Sequence, residues 1–101
     1  MLLVVTLTVR PGALDAFRAF ERQAARIMAR HGGAIERAVY IPPAQPGAPS
    51  QEVHLVSFPS PEALAAYRAD PALQALASLR EAAVLHTEIL TGEEGPRYGD
   101  P

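Results

Sequence analysis

The sequence predicts an α+β fold, with helices on one face of a four-stranded antiparallel sheet. Glu52–Asp70 reads EVHLVSFPSPEALAAYRAD, which is a strand, a proline stop and a capped helix. Leu2–Val9 alternates apolar and threonine residues as a strand does. A long series of apolar residues at helical spacing follows Gly12. Together these observations predict the order β-α-β-β-α-β.

The first half is a strand–helix–strand unit. The first strand, Leu2–Val9, ends at Arg10-Pro11-Gly12. The helix that follows spans residues 13–31, and Gly32 supplies its left-handed end. The second strand is Ala34–Ile41. The buried stripe of the helix contains Leu14, Phe17, Phe20, Ala24, Ile27 and Met28.

The second half begins after PPAQPGAPS, residues 42–50, which is too rich in proline for a strand or a helix. Pro59 ends the third strand, and Ser60 caps a helix with Pro61 at its first position. Asp70-Pro71 repeats the capping signal, so the helix is expected to break there and restart to about residue 82. The last strand spans residues 83–90. We expect a single domain over residues 1–92 and a flexible tail over residues 93–101.

This order is the ferredoxin-like arrangement, with strand order 4-1-3-2 and both helices on one side. The most apolar positions define the predicted helix-facing side, namely Leu3, Val5, Leu7, Ile35, Val39, Val53, Leu55, Leu85 and Ile89. The opposite positions define a predicted open face, namely Val4, Thr6, Thr8, Glu36, Ala38, Tyr40, His54, Val56, Phe58, His86, Glu88 and Leu90.

Composition limits the class of protein. The chain has 101 residues, a formal net charge of −2 and no cysteine. This length suffices for one hydrophobic core, and the lack of cysteine excludes a disulfide framework. The net charge gives no general attraction to nucleic acid or anionic lipid. No apolar run is long enough for a membrane span, and the N-terminus reads as a strand rather than a signal peptide. We expect a cytoplasmic protein, and its arginine and alanine richness is typical of GC-rich bacterial genomes.

The predicted open face carries the candidate chemistry. His86 and Glu88 lie two apart on a strand, and a carboxylate beside an imidazole favours a general base. His54 would lie across the sheet as a second acid or base. These three are the candidate catalytic residues; the candidate ligand-binding residues are Thr6, Thr8, Tyr40 and Phe58. The alternative is that they are only polar groups at a subunit interface.

Other features favour structural roles. The histidine spacing matches no metal motif, so no metal site and no cofactor are expected. Arg18, Arg22, Arg26 and Arg30 form a stripe that reads as a solvated helix face. Arg68 is expected to pair with Asp70 or Glu62. The central strands lack the aromatic residues that RNA-recognition domains use for stacking, which argues against RNA binding.

Two segments carry a family resemblance. RPGALDAFRAFERQAARIMARHGG and HLVSFPSPEALAAYRADPALQALASLREAAV resemble the dimeric α+β barrel superfamily, especially its small uncharacterised bacterial proteins. The antibiotic biosynthesis monooxygenase-like branch is a more distant relative. The resemblance implies a homodimer whose sheets face each other around a small cavity. Characterised cofactor-free monooxygenases of the superfamily use asparagine, tryptophan and histidine there, and this chain contains only histidine of the three.

The uncovered sheet face independently predicts assembly. Val4, Val56, Phe58 and Leu90 would leave a contiguous apolar patch in water. We expect a homodimer formed through this face. One functional hypothesis is that the dimer binds a small, partly apolar molecule between its sheets, with cofactor-free acid–base or monooxygenase-like chemistry. The other is a non-catalytic assembly or regulatory module.

Overall fold

The computed structural model describes residues 1–99. The predicted element order is confirmed, and the elements are β1 (Leu2–Val9), α1 (Leu14–Arg30), β2 (Ala34–Ile41), β3 (Ser50–Ser57), α2 (Pro61–Ala69), α3 (Pro71–Gln74), α4 (Ala77–Ala83) and β4 (Val84–Gly92). The strands form one antiparallel sheet in the order β2-β3-β1-β4, as predicted. No helix within residues 1–99 has the length and apolar character of a membrane span.

Local signals act at the helix ends as the sequence predicts. Gly32 has a φ of 73°, which closes α1 in the left-handed region. The Ser60 hydroxyl accepts a hydrogen bond from the Ala63 amide at 3.1 Å, and Asp70 Oδ1 accepts one from the Ala72 amide at 2.9 Å. The restarted helix breaks once more than predicted, because a tight turn from Leu73 to Leu76 separates α3 from α4.

The core lies between the sheet and the helices in two clusters. One cluster contains Leu3, Met28, Val56, Phe58 and Leu64. The other contains Leu7, Val9, Phe17, Ala83 and Val84. The helices cover only this side of the sheet, so the other side has no covering layer within residues 1–99.

The predicted facing of β3 is wrong. Paired residues of neighbouring antiparallel strands lie on the same face, and Val56 pairs with Leu3 while His54 pairs with Val5. His54, Val56 and Phe58 are therefore on the helix side and buried, whereas Leu55 is exposed. Both sets of alternate positions in VHLVSF contain large apolar residues, so alternation alone does not choose between them.

The predicted facing of β2 is wrong beyond its third residue. Ile35 pairs with Val56 on the helix side as expected, but the register shifts between Ile35 and Arg37. This bulge adds one residue and reverses the alternation after it. Val39 consequently pairs with Val53 on the open face, and Tyr40 pairs with Glu52 on the helix side.

The open face is apolar, with partly different residues from those predicted. Its large, exposed apolar side chains are Val4, Val39, Ile41, Leu55 and Leu90. The facing predicted for β1 and for His86, Glu88 and Leu90 of β4 agrees with the pairing. Residues 93–99 follow β4 as an exposed segment without a helix or strand, with a turn at residues 98–99. Flexibility of the tail remains an expectation, and its last two residues, Asp100 and Pro101, lie outside the described residues.

Candidate functional site

A cavity of about 330 Å³ lies between the sheet and the helices. The inner strands provide its floor with Leu3, Val5 and Val56, and α1 contributes Phe20 and Met28 to one wall. The α2–α4 segment forms the opposite wall. The polar and charged side chains at the cavity include Glu21, His54, Tyr67, Arg68, Arg80 and Thr87. This is an apolar space with a few convergent polar groups, which is typical of small-molecule sites.

His54 is held at the cavity by a buried carboxylate. Its Nε2 lies 2.9 Å from Glu52 Oε1, and the His54 residue is only 4% exposed. The two are two apart on β3, so both side chains point to the helix side. An ionised carboxylate only accepts hydrogen bonds, so Nε2 carries the proton of this contact, and Nδ1 is the acceptor whenever the ring holds a single proton. Nδ1 makes no hydrogen bond with residues 1–99, which leaves it for a molecule in the cavity.

Glu52 is in turn oriented from α1. Arg18 Nε lies 3.5 Å from Glu52 Oε2, and the Arg18 guanidinium stacks 5.1 Å above the Tyr40 ring. The strand partner of Glu52 is Tyr40, so the bulge in β2 brings this ring beneath Arg18. The result is a line of contacts from Tyr40 through Arg18 and Glu52 to His54.

Glu21 is the second candidate acid or base. Burial raises the pKa of the Glu21 carboxyl above its ordinary value, and the Glu52 charge adds to the rise. His54 and Arg80 act in the opposite direction, favouring the ionised form. These electrostatic effects place Glu21 within reach of His54 at the same cavity. A carboxyl with a raised pKa beside an imidazole is suited to exchange protons with a bound molecule.

Tyr67 provides a hydroxyl donor. Burial, followed by the charge of Glu21, raises the pKa of Tyr67 to about 12, so its hydroxyl stays protonated at neutral pH. The ring packs against Phe58 at 5.5 Å and against His31 at 6.3 Å between centroids. These contacts fix the ring, and its hydroxyl makes no hydrogen bond with residues 1–99.

The structure does not bring the seven predicted site residues together. His54 and Phe58 line the cavity. Thr6, Thr8, His86 and Glu88 lie on the open face, on the other side of the sheet. Tyr40 is on the helix side but outside the cavity, where it contacts Arg18.

His86 and Glu88 do share a face, but their nitrogen–oxygen distance is 3.9 Å and their side chains are 67% and 70% exposed. Solvent screens such a pair strongly, which makes it a weak candidate for catalysis. The expectation that it faces the same cavity as His54 is wrong.

Sequence reasoning missed Glu21, Tyr67 and Arg80 as cavity groups and Glu52 as the partner of His54. Glu52-x-His54 has the same two-residue spacing as His86-x-Glu88, so a detectable signal was present in β3. Glu21 lies one helical turn from Phe17 and from Ala24, beside the buried stripe of α1. The pairing of Arg68 with Asp70 or Glu62 is not observed: Asp70 binds His31 instead.

The family model described as Domain of unknown function (DUF1330) matches residues 2–92. A search of the curated proteins finds no match. Among solved structures, the chain is similar to a protein of unknown function from Rhodopseudomonas palustris, with 19% identity, a TM-score of 0.75 and coverage of 94% of this chain and 83% of that one. The likeness confirms the predicted fold.

Two further solved structures support the predicted resemblance to the monooxygenase-like branch. One is SnoaB, a cofactor-independent oxygenase from Streptomyces nogalater, with 16% identity, a TM-score of 0.60 and coverage of 93% of each chain. The other is an antibiotic biosynthesis monooxygenase, with 14% identity, a TM-score of 0.64 and coverage of 95% of this chain and 100% of that one. At these identities the likeness is one of fold.

Proposed function

The chain belongs to the DUF1330 family, and we propose that it is a homodimeric protein that binds a small, partly apolar molecule and acts on it by cofactor-free acid–base chemistry. The reaction takes place in the cavity of each chain, between sheet and helices, rather than between two sheets. The observation that carries the proposal is His54, which is buried at the cavity, fixed by Glu52 and left with an Nδ1 that has no hydrogen-bond partner in the described part of the chain.

The cavity size limits the ligand. An apolar protein cavity of about 150 Å³ accommodates benzene. The 330 Å³ observed here is a little over twice that volume, which corresponds to roughly a dozen non-hydrogen atoms. The apolar floor favours a ligand whose larger part is hydrocarbon.

Proton transfer follows from the arrangement of the polar groups. His54 Nδ1 accepts a proton from a weakly acidic C–H or O–H of the ligand, and Glu52 stabilises the imidazolium that forms. Arg18 keeps the Glu52 carboxylate in place. Glu21 and Tyr67 can return a proton or donate a hydrogen bond to a developing oxyanion.

A general-base probe tests this proposal without knowledge of the ligand. 5-Nitrobenzisoxazole has about the dozen non-hydrogen atoms that the cavity holds, and it opens to a coloured phenolate when a base removes its ring proton. We expect the protein to accelerate this opening above buffer and His54→Asn to abolish the acceleration. His86→Asn is the matched control on the open face and should retain the wild-type rate.

Equal rates for wild type and His54→Asn would overturn acid–base chemistry at this cavity. Dioxygen uptake in the presence of ligands found by native mass spectrometry tests the monooxygenase-like form of the chemistry. Deprotonation without oxygen uptake would restrict the proposal to acid–base reactions.

The open face supports the homodimer. Val4, Val39, Ile41, Leu55 and Leu90 leave an apolar surface that a soluble monomer rarely exposes. A two-fold axis lets the face pack on its own copy, burying at least about 1,200 Å² in a stable interface. The same face favours the alternative of a non-catalytic assembly module. A stable dimer with an inert cavity would support that alternative.

A further inference from the structure

We propose that the mouth of the cavity is a carboxylate-binding subsite formed by Arg68, Arg80 and Tyr67, and that the ligand is an amphipathic monocarboxylic acid. This inference rests on the proposed function, because it assigns a chemical class to the molecule that the cavity holds. The acid group would lie at the mouth, and the hydrocarbon part would extend toward His54.

Two cationic side chains border the cavity without a salt-bridge partner among residues 1–99. Arg68 and Arg80 both line it and both are exposed, so they lie where the cavity meets solvent. Neither is within 4.0 Å of a carboxylate of residues 1–99. Arg80 donates one hydrogen bond to the Thr87 hydroxyl, which leaves most of its N–H groups unused. Planar guanidinium groups bind carboxylates through paired hydrogen bonds.

Tyr67 lines the cavity together with these two arginines. Arg80 and Arg68 each oppose the rise in the pKa of Tyr67 that burial causes, so both guanidinium groups are within electrostatic reach of its hydroxyl. The hydroxyl remains a donor with no acceptor among the residues that the structure describes. A carboxylate placed here would therefore receive charge-assisted hydrogen bonds from arginine and a further one from Tyr67.

The charge of the whole cavity favours an anion. Glu21 is the only acidic side chain that lines it within the described chain, against two arginines. The raised pKa of Glu21 also lowers the cost of placing a second carboxylate near it, because a protonated Glu21 donates a hydrogen bond instead of repelling.

The apolar part of the ligand has a matching surface. Ile89 is on the helix side of β4, opposite Val5, yet it is 46% exposed on this edge strand of the sheet. It lines the cavity together with Leu73 and Leu76 of the facing wall. A hydrocarbon chain or ring anchored at Arg80 would cover Ile89 and remove this surface from water.

A matched pair of probes tests the subsite. 3-Phenylpropanoate and 3-phenylpropanamide have the same shape and number of non-hydrogen atoms, and only the first is charged. We expect calorimetric titration at low salt to show the carboxylate binding at least ~10-fold more tightly than the amide, as loss of a charge-assisted hydrogen bond would predict. The Arg68→Gln/Arg80→Gln double variant should remove this preference and leave amide binding unchanged.

Arg22→Gln is the control, because Arg22 is exposed on α1 and does not line the cavity. It should keep the wild-type preference. Equal affinities of the two probes in the wild type would overturn the carboxylate subsite but leave the cavity proposal intact. Failure of both probes to bind would also overturn it, and the 5-nitrobenzisoxazole assay then decides independently whether the proposed function stands.

Discussion

His31 Nε2 and Asp70 Oδ2 lie 2.8 Å apart although 39 positions separate them in the sequence. Their side chains are only 22% and 14% exposed. The contact joins the end of α1 to the junction of α2 and α3, where Asp70 Oδ1 also caps α3 through the Ala72 amide. One carboxylate thus ties the α2–α4 wall of the cavity to α1.

This contact predicts a dependence of stability on acid pH. The hydrogen bond from His31, followed by that from Ala72, lowers the pKa of Asp70 below its ordinary value of 3.8. A lowered folded-state pKa contributes stability above the unfolded pKa, and the contribution is lost as pH falls through the folded pKa. The loss should therefore begin near pH 4 and become complete below the folded pKa.

Asp70→Asn retains a capping oxygen but removes the charge. It should therefore lower the melting temperature at neutral pH by a few degrees, and the melting temperature of the variant should depend less on pH below pH 4. Melting temperatures from circular dichroism over pH 2–8 measure this. Glu94→Gln, in the exposed tail, is the control and should follow the wild type. A variant whose profile also follows the wild type would show that the His31 contact contributes nothing.

Glu21→Gln is expected to stabilise the fold while damaging function. The folded-state pKa of Glu21 lies above its ordinary value of 4.5. The contribution of Glu21 to the free energy of unfolding is therefore fully present below pH 4.5 and is lost as pH rises through the folded-state pKa. Glutamine avoids the cost of a buried charge, so the variant should melt a few degrees higher at pH 8 and close to wild type at pH 4. A lower melting temperature at pH 8 would mean that its attraction to His54 and Arg80 outweighs burial.

Leu55→Asp should dissociate the proposed dimer without unfolding the chain. Leu55 is 38% exposed on the open face, so the aspartate is solvated in the monomer but buried without a partner in the dimer. Light scattering at micromolar concentration should change from dimer to monomer, and the circular dichroism spectrum should be unchanged. Leu79→Asp, on the exposed surface of α4, is the matched control and should stay dimeric.

Val56→Asp, one position along β3, should behave differently. Val56 is 2% exposed in the core between sheet and helices, so a carboxylate there should unfold the chain. Opposite outcomes at positions 55 and 56 would confirm the facing of β3. A folded monomer from Val56→Asp would contradict it.

Gly33→Ala should destabilise the protein by about 1–3 kcal/mol through overpacking. A Cβ at Gly33 would lie 2.5 Å from Phe58 and 2.6 Å from Met28, both in the core cluster beside the cavity. Denaturant unfolding measures the change. Gly92→Ala has no heavy atom within 4 Å of its new methyl group and should be close to neutral, so equal effects at both sites would contradict a packing origin.

The sequence predicts the sheet order and most element ends because strong local signals specify them. Ser60, Asp70 and Gly32 form the caps and the helix end that their residue types indicate. The facing of β3 is not predictable in the same way, since its two sets of alternate positions are similarly apolar. It depends on pairing with β1, which is a non-local property.

The candidate site likewise combines a residue that the sequence identifies with residues that only the tertiary structure identifies. His54 is recognisable as a polar residue in an apolar strand, and its role as a candidate base remains a prediction. Glu21 and Tyr67, which share the cavity with it, come from α1 and α2, so only the packing of these helices on the sheet brings them together. Periodicity identified the helices but did not identify which edge residue of each stripe reaches the cavity.

The bulge in β2 shifts the two-residue alternation of its side chains by one position. Deleting Glu36 would remove the extra residue and restore strict alternation, but it would leave Val39 paired with Val53 and Tyr40 paired with Glu52 on their present faces. Pairing the full sequence of β2 without a bulge would instead exchange its two surfaces beyond Ile35, turning Val39 and Ile41 inward and carrying Tyr40 away from Arg18. The one extra residue therefore determines both the support of Glu52 and the composition of the apolar open face, whereas the proline-rich connection, residues 42–49, can change length without changing which way any strand residue points.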